Sequence, residues 1–247
     1  MGKFPPVIDT HAHLDELTDP EAAIKEAREG AVLGIVAVGQ DIPSNIASRH
    51  EGCVYPAIGY HPWHLSPDQD DETLAYLEEN LKDCVALGEV GLDYKAKRKK
   101  KAQKAIFGEL LSIAKRHNKP VIVHCRYVHE TAYRAVKEAG IEKAVFHWYS
   151  GAIDLIPLIA AEGYYMSATP ALLYNPYHAE AIRAVPLSNL LLETDTPVQY
   201  QELITRPVHV QVTLQEVARV KDISVEEIAA QTTQNAKVCF GLSDLES

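Results

Sequence analysis

The chain has 247 residues, 47% of them hydrophobic and 23% charged, which suits a soluble protein with a sizeable core and excludes a disordered or fibrous one. A formal net charge of −10 argues against a broadly basic surface that wraps nucleic acid, though it leaves room for a local basic patch. No run of about 18 apolar residues suggests a membrane span.

Cys53, Cys84, Cys125 and Cys239 are widely spaced and form no CxxC pair, as expected of reduced structural thiols. MGKFPPVIDT enters a strand-like run almost at once, so a signal peptide has no room and the cytoplasm is the expected location.

In chain order, short apolar, β-branched runs alternate with segments of helical period. The strand-like runs are 7–13, 33–39, 54–61, 85–91, 120–125, 143–148, 164–168 and 190–195. They are nearly continuous in apolar character, as parallel strands buried on both faces would be. Between them, 19–30 starts with Asp19 as N-cap and Pro20 at the first helical position. Segment 66–83 carries its acids in the first turns, where the helix dipole favours them. Apolar residues recur every three or four positions in 102–118, and further helices are expected near 128–139, 152–162, 177–185, 208–220 and 224–238. Eight βα units with no Ser- or Gly-rich linker fit one (β/α)8 TIM barrel hydrolase domain over 1–247, of α/β class. A doubly wound open sheet shares the same alternation.

The polar residues favour the barrel. Of eleven histidines, His11, His13, His61, His124 and His147 fall at the carboxyl ends of expected strands, and Glu89 and Asp195 end two more. In a barrel those ends share the catalytic rim. His11 and His13, two residues apart on a strand, point to the same side and can grip one cation together. Glu89 in VALGEVG would be costly in a core unless paired or metal-bound. Each residue alone has an ordinary reading: incidental or hydrogen-bonded histidines, a lysine-paired glutamate, an aspartate that caps a helix. Their conjunction at successive strand ends points to metal. Imidazoles with two carboxylates suit zinc, manganese or iron(II), and a carboxylate bridge would also admit magnesium. Two such ions activate water and clamp both oxygens of an in-line displacement.

DTHAHLD, IGYHP, GEVGLDY, PVIVHCR, FHWYSG and LLLETDTP, with NAKVCFGL near the end, together resemble the TatD family of metal-dependent deoxyribonucleases, in order from residue 9 to 242. The resemblance implies a TIM barrel of the amidohydrolase superfamily that hydrolyses DNA phosphodiesters with two divalent metal ions (zinc, manganese or magnesium). It implies His11 and His13 on one metal with Asp195 near it, His124 and His147 on the other, and Glu89 bridging both, where the superfamily often has a lysine. His61 would face the substrate phosphate or a further metal. The compact basic segment from Asp93 to Gln103, and the loop TPVQYQELITRPVHV without the usual Arg-Asn-Glu-Pro pattern, depart from the family and bear on substrate preference.

On this reading Asp195 orients and deprotonates the attacking water and Glu89 shares the catalytic centre. Arg126, His61, Lys95 and Lys97 face substrate phosphate, and Asp9 and Glu193 support ligands from behind. Arg126 has an alternative as a salt-bridge partner of Glu193 or a neighbouring acid. Trp63, Trp148 and Tyr149 are candidates for stacking on splayed bases, against a packing role on the rim. His50, His64, His117, His129, His178 and His209 read as surface or helix residues, and Cys125 as structural. The partner expected is DNA, as single strands or ends, with no membrane and no stable protein partner. The alternatives are a C–N or ester hydrolase on the same metal site, and a barrel that binds without turnover.

Overall fold

The computed structural model describes residues 4–242; residues 1–3 and 243–247 of the expected barrel span lie outside the described residues. Eight strands form one sheet in sequence order: β1 (Val7–Ala12), β2 (Val32–Val38), β3 (Val54–Tyr60), β4 (Ala86–Asp93), β5 (Val121–Arg126), β6 (Ala144–Phe146), β7 (Tyr165–Ala168) and β8 (Leu190–Leu192). Neighbours from β1 to β8 pair in parallel. The seam back to β1 is closed just beyond β8, where Asp195 N donates to His11 O at 2.9 Å and His13 N to Thr196 O at 2.8 Å. Around the sheet run α1 (Pro20–Glu29), α2 (Ile42–Ala47), α3 (Asp70–Asn80), α4 (Lys100–His117), α5 (His129–Glu138), α6 (Ile156–Ala161), α7 (Pro176–Ala184), α8 (Val210–Lys221) and α9 (Val225–Phe240). The expected TIM barrel is the observed fold. No helix among the described residues is long and apolar enough to cross a membrane.

Strand parity sorts the core into two layers. Ile8, Val36, Val38, Ala57, Ala86, Ile122, Val145 and Leu191 pack together with Cys239 and Phe240 of α9, filling the barrel interior. Alternate residues such as Ile35, Ile58, Leu87, Val123 and Phe146 join the helices in the outer layer. Side chains two residues apart share a face, so Ile122 predicts the direction of His124, Val145 that of His147, and Leu191 that of Glu193. The strands β1 and β4 break their register between Asp9 and Ala12 and between Leu87 and Val90, respectively. His11 and Glu89 lie within those irregular stretches, and both reach the interior cluster.

Close backbone approach at the rim depends on glycine. A Cβ on Gly59 would stand 2.4 Å from Glu89 N, and one on Gly91, whose φ is +150°, would stand 2.0 Å from His124 O.

Several boundaries differ from expectation. The β8 ladder ends at Leu192, because Glu193 to Asp195 turn inward and Asp195 takes a left-handed φ of 53°. The helix expected from 102 begins at Lys100, so two cations sit in its first turn with no side-chain cap from Lys99. Segment 152–162 divides into a 3₁₀ turn, Ile153–Leu155, and the short α6. A two-stranded ribbon, β9 (Gln199–Tyr200) with β10 (Leu203–Ile204), occupies the loop after β8, where two residues per strand leave no periodicity to read.

The unexpected α2 matters for the site. Asp41 caps it through Ser44 in a reciprocal capping box, and its buried Asn45 holds β3 just before His61. Asn45 Nδ2 donates to Gly59 O and Gly59 N donates to Asn45 Oδ1, both at 2.8 Å. Asn45→Ala leaves both groups of Gly59 without partners, which should cost about 2–3 kcal/mol in urea denaturation.

Candidate active site

Glu89 lies at the centre of the barrel mouth, 3% exposed, with its two oxygens serving different groups. Its Oε2 is 3.5 Å from His11 Nε2 and 3.6 Å from His13 Nε2. Asp195 Oδ1 is 3.5 and 3.4 Å from the same two nitrogens, which are themselves 3.1 Å apart. Glu89 Oε1 instead meets His124 Nδ1 at 2.6 Å, His147 Nε2 at 3.0 Å and His61 Nε2 at 3.5 Å. All seven rim residues expected from the sequence therefore converge on one carboxylate or its immediate neighbour.

These groups fit divalent cations. Donors 2.0–2.2 Å from a tetrahedral ion stand about 3.3–3.6 Å from one another. The measured distances among His11, His13, Asp195 and Glu89 cluster at that spacing. His61, Glu89 and His124 form a second set able to hold an ion. This set is drawn in more tightly, since 2.6 Å is a charge-assisted hydrogen-bond distance. A third set, His11, His147 and Glu193, contains two buried atoms without partners, His11 Nδ1 and Glu193 Oε2.

The electrostatics follow from crowding imidazoles around carboxylates. Burial alone would push the Glu89 carboxyl up, but positive charge on His61 and His147 and hydrogen bonds from His11 and His124 hold it well below the usual range. Burial pulls His13 down, and the hydrogen bond to Asp195 with the charges of Asp195 and Glu89 outweighs it, raising His13 to about 9. His147 is raised well above its ordinary value against the same burial, by Glu89 and Glu193. At His61 burial wins, and the group falls to about 4 with the help of charge on His124 and His13.

Behind the cluster, Asp9 is fully buried and ties β1 to the end of β8. It accepts from Thr194 N at 2.9 Å, Thr194 Oγ1 at 2.6 Å and His11 N at 3.3 Å. Burial lifts its pKa to about 8 despite those bonds. Glu193 Oε1 accepts from Trp148 N at 2.7 Å and lies 3.3 Å from His147 Nδ1.

Glu193 is thus committed to the β6 loop and is no salt-bridge partner for Arg126. Arg126 is exposed, with its guanidinium 5.7 Å from the Tyr127 ring. Lys95 and Lys97 are exposed on the loop after β4, Lys95 Nζ lying 5.5 Å from that ring. Arg98, from the same basic block, is occupied elsewhere: its Nη2 donates to Asp70 Oδ2 at 2.6 Å.

The open readings of Tyr149 and His178 resolve toward packing and helix. Tyr149 is fully buried and bonded to Ala152 O, so it is out of reach of a base. His178 belongs to α7 but is no surface residue: it is buried, Thr169 N donates to its Nε2 at 3.2 Å, and its Nδ1 faces Tyr149 O at 2.9 Å. Trp63 remains 59% exposed, and Trp148 is half-buried against Tyr200.

Sequence reasoning missed Asp93 and Gln40. Asp93 accepts from Trp63 Nε1 at 2.7 Å and from Lys95 N at 2.6 Å, and its Oδ2 stands 3.4 Å from His124 Nε2. Burial raises its pKa, but these bonds, with His124 foremost, bring it well below the usual range. Ending the strand at residue 91 hid it; the rule that found Glu89 would have found a carboxylate closing β4. Gln40, 3.2 Å from His13 Nε2, follows β2 as an amide, a residue type with no distinctive signal.

Comparison with known proteins agrees with this geometry. A family model described as TatD related DNase matches residues 8–241. A Bacillus subtilis protein described as an uncharacterized metal-dependent hydrolase, YabD, is 32% identical, covering 96% of this chain and all of that one. The 3'-5' ssDNA/RNA exonuclease TatD of Erwinia amylovora is 30% identical, covering 91% of this chain and 94% of its own. The crystal structure of YJJV, a TatD homologue from Escherichia coli K12, superposes with a TM-score of 0.87 at 26% identity, covering 95% of this chain and 98% of that one. With its barrel, its ring of imidazoles and carboxylates and a family match across nearly its whole length, the chain belongs to the TatD-related DNase family of metal-dependent hydrolases.

Proposed function

We propose that this protein hydrolyses DNA phosphodiester bonds, acting on single strands or their ends, with two divalent cations held at the barrel mouth. The observation that carries the reading is the division of Glu89, one oxygen facing His11, His13 and Asp195, the other facing His61, His124 and His147. The name of the Erwinia amylovora relative, a 3'-5' ssDNA/RNA exonuclease, supports a single-stranded nucleic-acid substrate. Four free cysteines among the described residues suit a cytoplasmic setting.

His11, His13 and Asp195 would hold one cation and His124 with His147 the other, Glu89 bridging them; zinc, manganese and magnesium are the candidates. His61 is as near Glu89 as the ligand histidines of the first group, which suits either a further ligand or a phosphate contact. Bound there, such ions supply Lewis acidity that activates water and neutralises charge on phosphoryl oxygens. Asp195 orients the attacking water and takes its proton, as a carboxylate held low by His13 and already turned inward can do. Glu193 fixes the His147 ring and Asp9 fixes the strand that carries His11 and His13. Arg126, Lys95 and Lys97 bind the phosphates of the strand as it crosses an otherwise acidic protein.

Three measurements test this. Metal-loaded protein is offered single- and double-stranded DNA, a phosphomonoester and a panel of amides, beside Glu89→Ala and Asp195→Asn. Cleavage of DNA that drops at least about a hundredfold in both variants is expected. DNA left intact in manganese, magnesium and zinc while an amide is cut would refute the nuclease reading; unchanged cleavage in both variants would refute the site.

Metal uptake itself reports on His13. With a pKa of about 9 it is protonated in the metal-free protein at pH 7, and a ligand imidazole must be neutral. Titration calorimetry at pH 7 in buffers of different ionisation heat should therefore show release of at least about one proton, with affinity rising as pH approaches 9. Uptake without proton release would count against His13 as a ligand.

Finally, Lys95→Gln with Arg126→Gln should raise KM for DNA several-fold at low ionic strength, the difference shrinking as salt is added. Arg98→Gln should instead lower thermal stability, since Arg98 pairs with buried Asp70.

A further inference from the structure

A cavity of ≈ 530 Å³ at the opposite end of the barrel has three lysines on its wall. Lys115, Lys119 and Lys143 all donate to backbone carbonyls, which leaves them little capacity for a ligand. The catalytic rim has a different kind of cavity.

This one, of ≈ 480 Å³, is lined by Tyr94, Tyr127, Val128, His129, Leu155 and Leu158, with Glu130 and Asp154 also on its wall. It adjoins the metal-ligand cluster. The β4–β5 ladder ends with Asp93 opposite Arg126, and Tyr94 N then donates to Arg126 O at 3.3 Å. Tyr94 and Tyr127 are thus the first residues beyond the ladder that carries His124. Arg126 stands two strand residues past His124, about 7 Å along the strand.

Tyr127 is poorly accounted for by the fold alone. It is 68% exposed, and its backbone takes a left-handed φ of 62°, a conformation that is strained for a non-glycine residue. Its nearest cations, Lys95 and Arg126, stand 5.5 and 5.7 Å from the ring centroid, near the limit of useful cation–π attraction. Within the cavity wall, His129 Nε2 is buried with no hydrogen-bond partner. The surroundings thus combine an exposed aromatic face, an apolar lining of Val128, Leu155 and Leu158, an unpartnered ring nitrogen and two cations beside the tyrosine ring. A flat ligand with an apolar face, a polar edge and an attached anion meets all four. A nucleotide of a single strand has that chemistry, whereas a paired and stacked base does not expose its face.

We infer that this cavity is a base-binding subsite: Tyr127 stacks on the nucleobase neighbouring the scissile phosphate, while Lys95 and Arg126 hold the phosphate that joins it to the strand. The inference rests on the nuclease reading above and adds to it the place where a single strand is distinguished from a duplex. Phosphate alone would be bound by the cations; the tyrosine gives the site a reason to require a base.

The test compares metal-loaded wild type, Tyr127→Ala and Tyr127→Phe on two single-stranded oligonucleotides of equal length, one intact and one built of tetrahydrofuran abasic residues. Stacking on one base changes affinity about tenfold. Wild type should show a KM at least about tenfold higher for the abasic strand. Tyr127→Ala should narrow that gap about tenfold by raising KM on the intact strand, and Tyr127→Phe should keep most of it. Equal KM values for the two strands in wild type, or an undiminished gap in Tyr127→Ala, overturn the subsite and leave the nuclease reading standing. Cleavage of neither strand by wild type overturns both.

Discussion

A carboxylate removed from water has to find compensation, and at Glu89 that requirement organises the mouth of the barrel. Burial of an ionised carboxyl costs several kcal/mol before any partner is counted. Here five imidazoles from β1, β3, β5 and β6 stand within 3.6 Å of its two oxygens, and they hold it ionised. His13, His124 and His147 are in turn raised by the carboxylates they face, so these groups support one another's charge. Such a cluster, dense in lone pairs and short of fixed cations, is also what a divalent ion needs. The same feature that makes the metal-free site electrostatically tense makes it receptive to metal.

Each participant is brought there by something other than the cluster. Parity below the site sends His124 and His147 inward because Ile122 and Val145 already point inward. Where parity would fail, the register of β1 and β4 slips, and His11 and Glu89 join the same side. Glycines at 59 and 91 allow the neighbouring backbone to come as close as those slips demand. Asp195 arrives by leaving its strand altogether, through a left-handed turn locked by its N–H on His11 O. The rigid apolar interior, sealed by Phe240 of α9, supplies the stability that this arrangement draws upon.

This explains which parts of the protein were legible in the sequence. Eight apolar strands and the residues at their carboxyl ends could be read because burial on both faces suppresses polar residues, leaving a strand-terminal histidine or acid conspicuous. Period two accounts for the directions of His124 and His147 once the inward parity of Ile122 and Val145 is known. The register slips at His11 and Glu89 left no mark on composition, and the inward turn of Asp195 was concealed within an expected strand. Tyr149 takes the packing reading and His178 the helix one, but the extent of their burial was not legible. It comes from packing the loop that carries Tyr149 on α7, as in the contact between His178 Nδ1 and Tyr149 O, which no local pattern encodes. Gln40 and Asn45 show the same limit for amides: their importance lies wholly in what they touch.

The basic block after β4 is where the reading of charge had to become a reading of contacts. Six cations in seven residues look like one patch, but the structure divides them by task. Arg98 is spent on Asp70 and Gln103 Nε2 donates to its carbonyl, so that residue secures the loop to α3 and α4. Lys100 lies 4.1 Å from the Tyr94 ring and belongs to the first turn of α4, where its charge opposes the helix dipole. Lys95, closest in sequence to Asp93, remains at the rim beside Tyr127 and Arg126. Asp93 connects that rim to the catalytic cluster: one oxygen fixes the Lys95 backbone, the other holds Trp63 and faces His124. Any contact that displaced this loop would therefore act on the same carboxylate that faces His124. The basic loop and the position of the His124 ring are linked through Asp93, because a side chain with two oxygens cannot shift toward one set of partners without loosening the other.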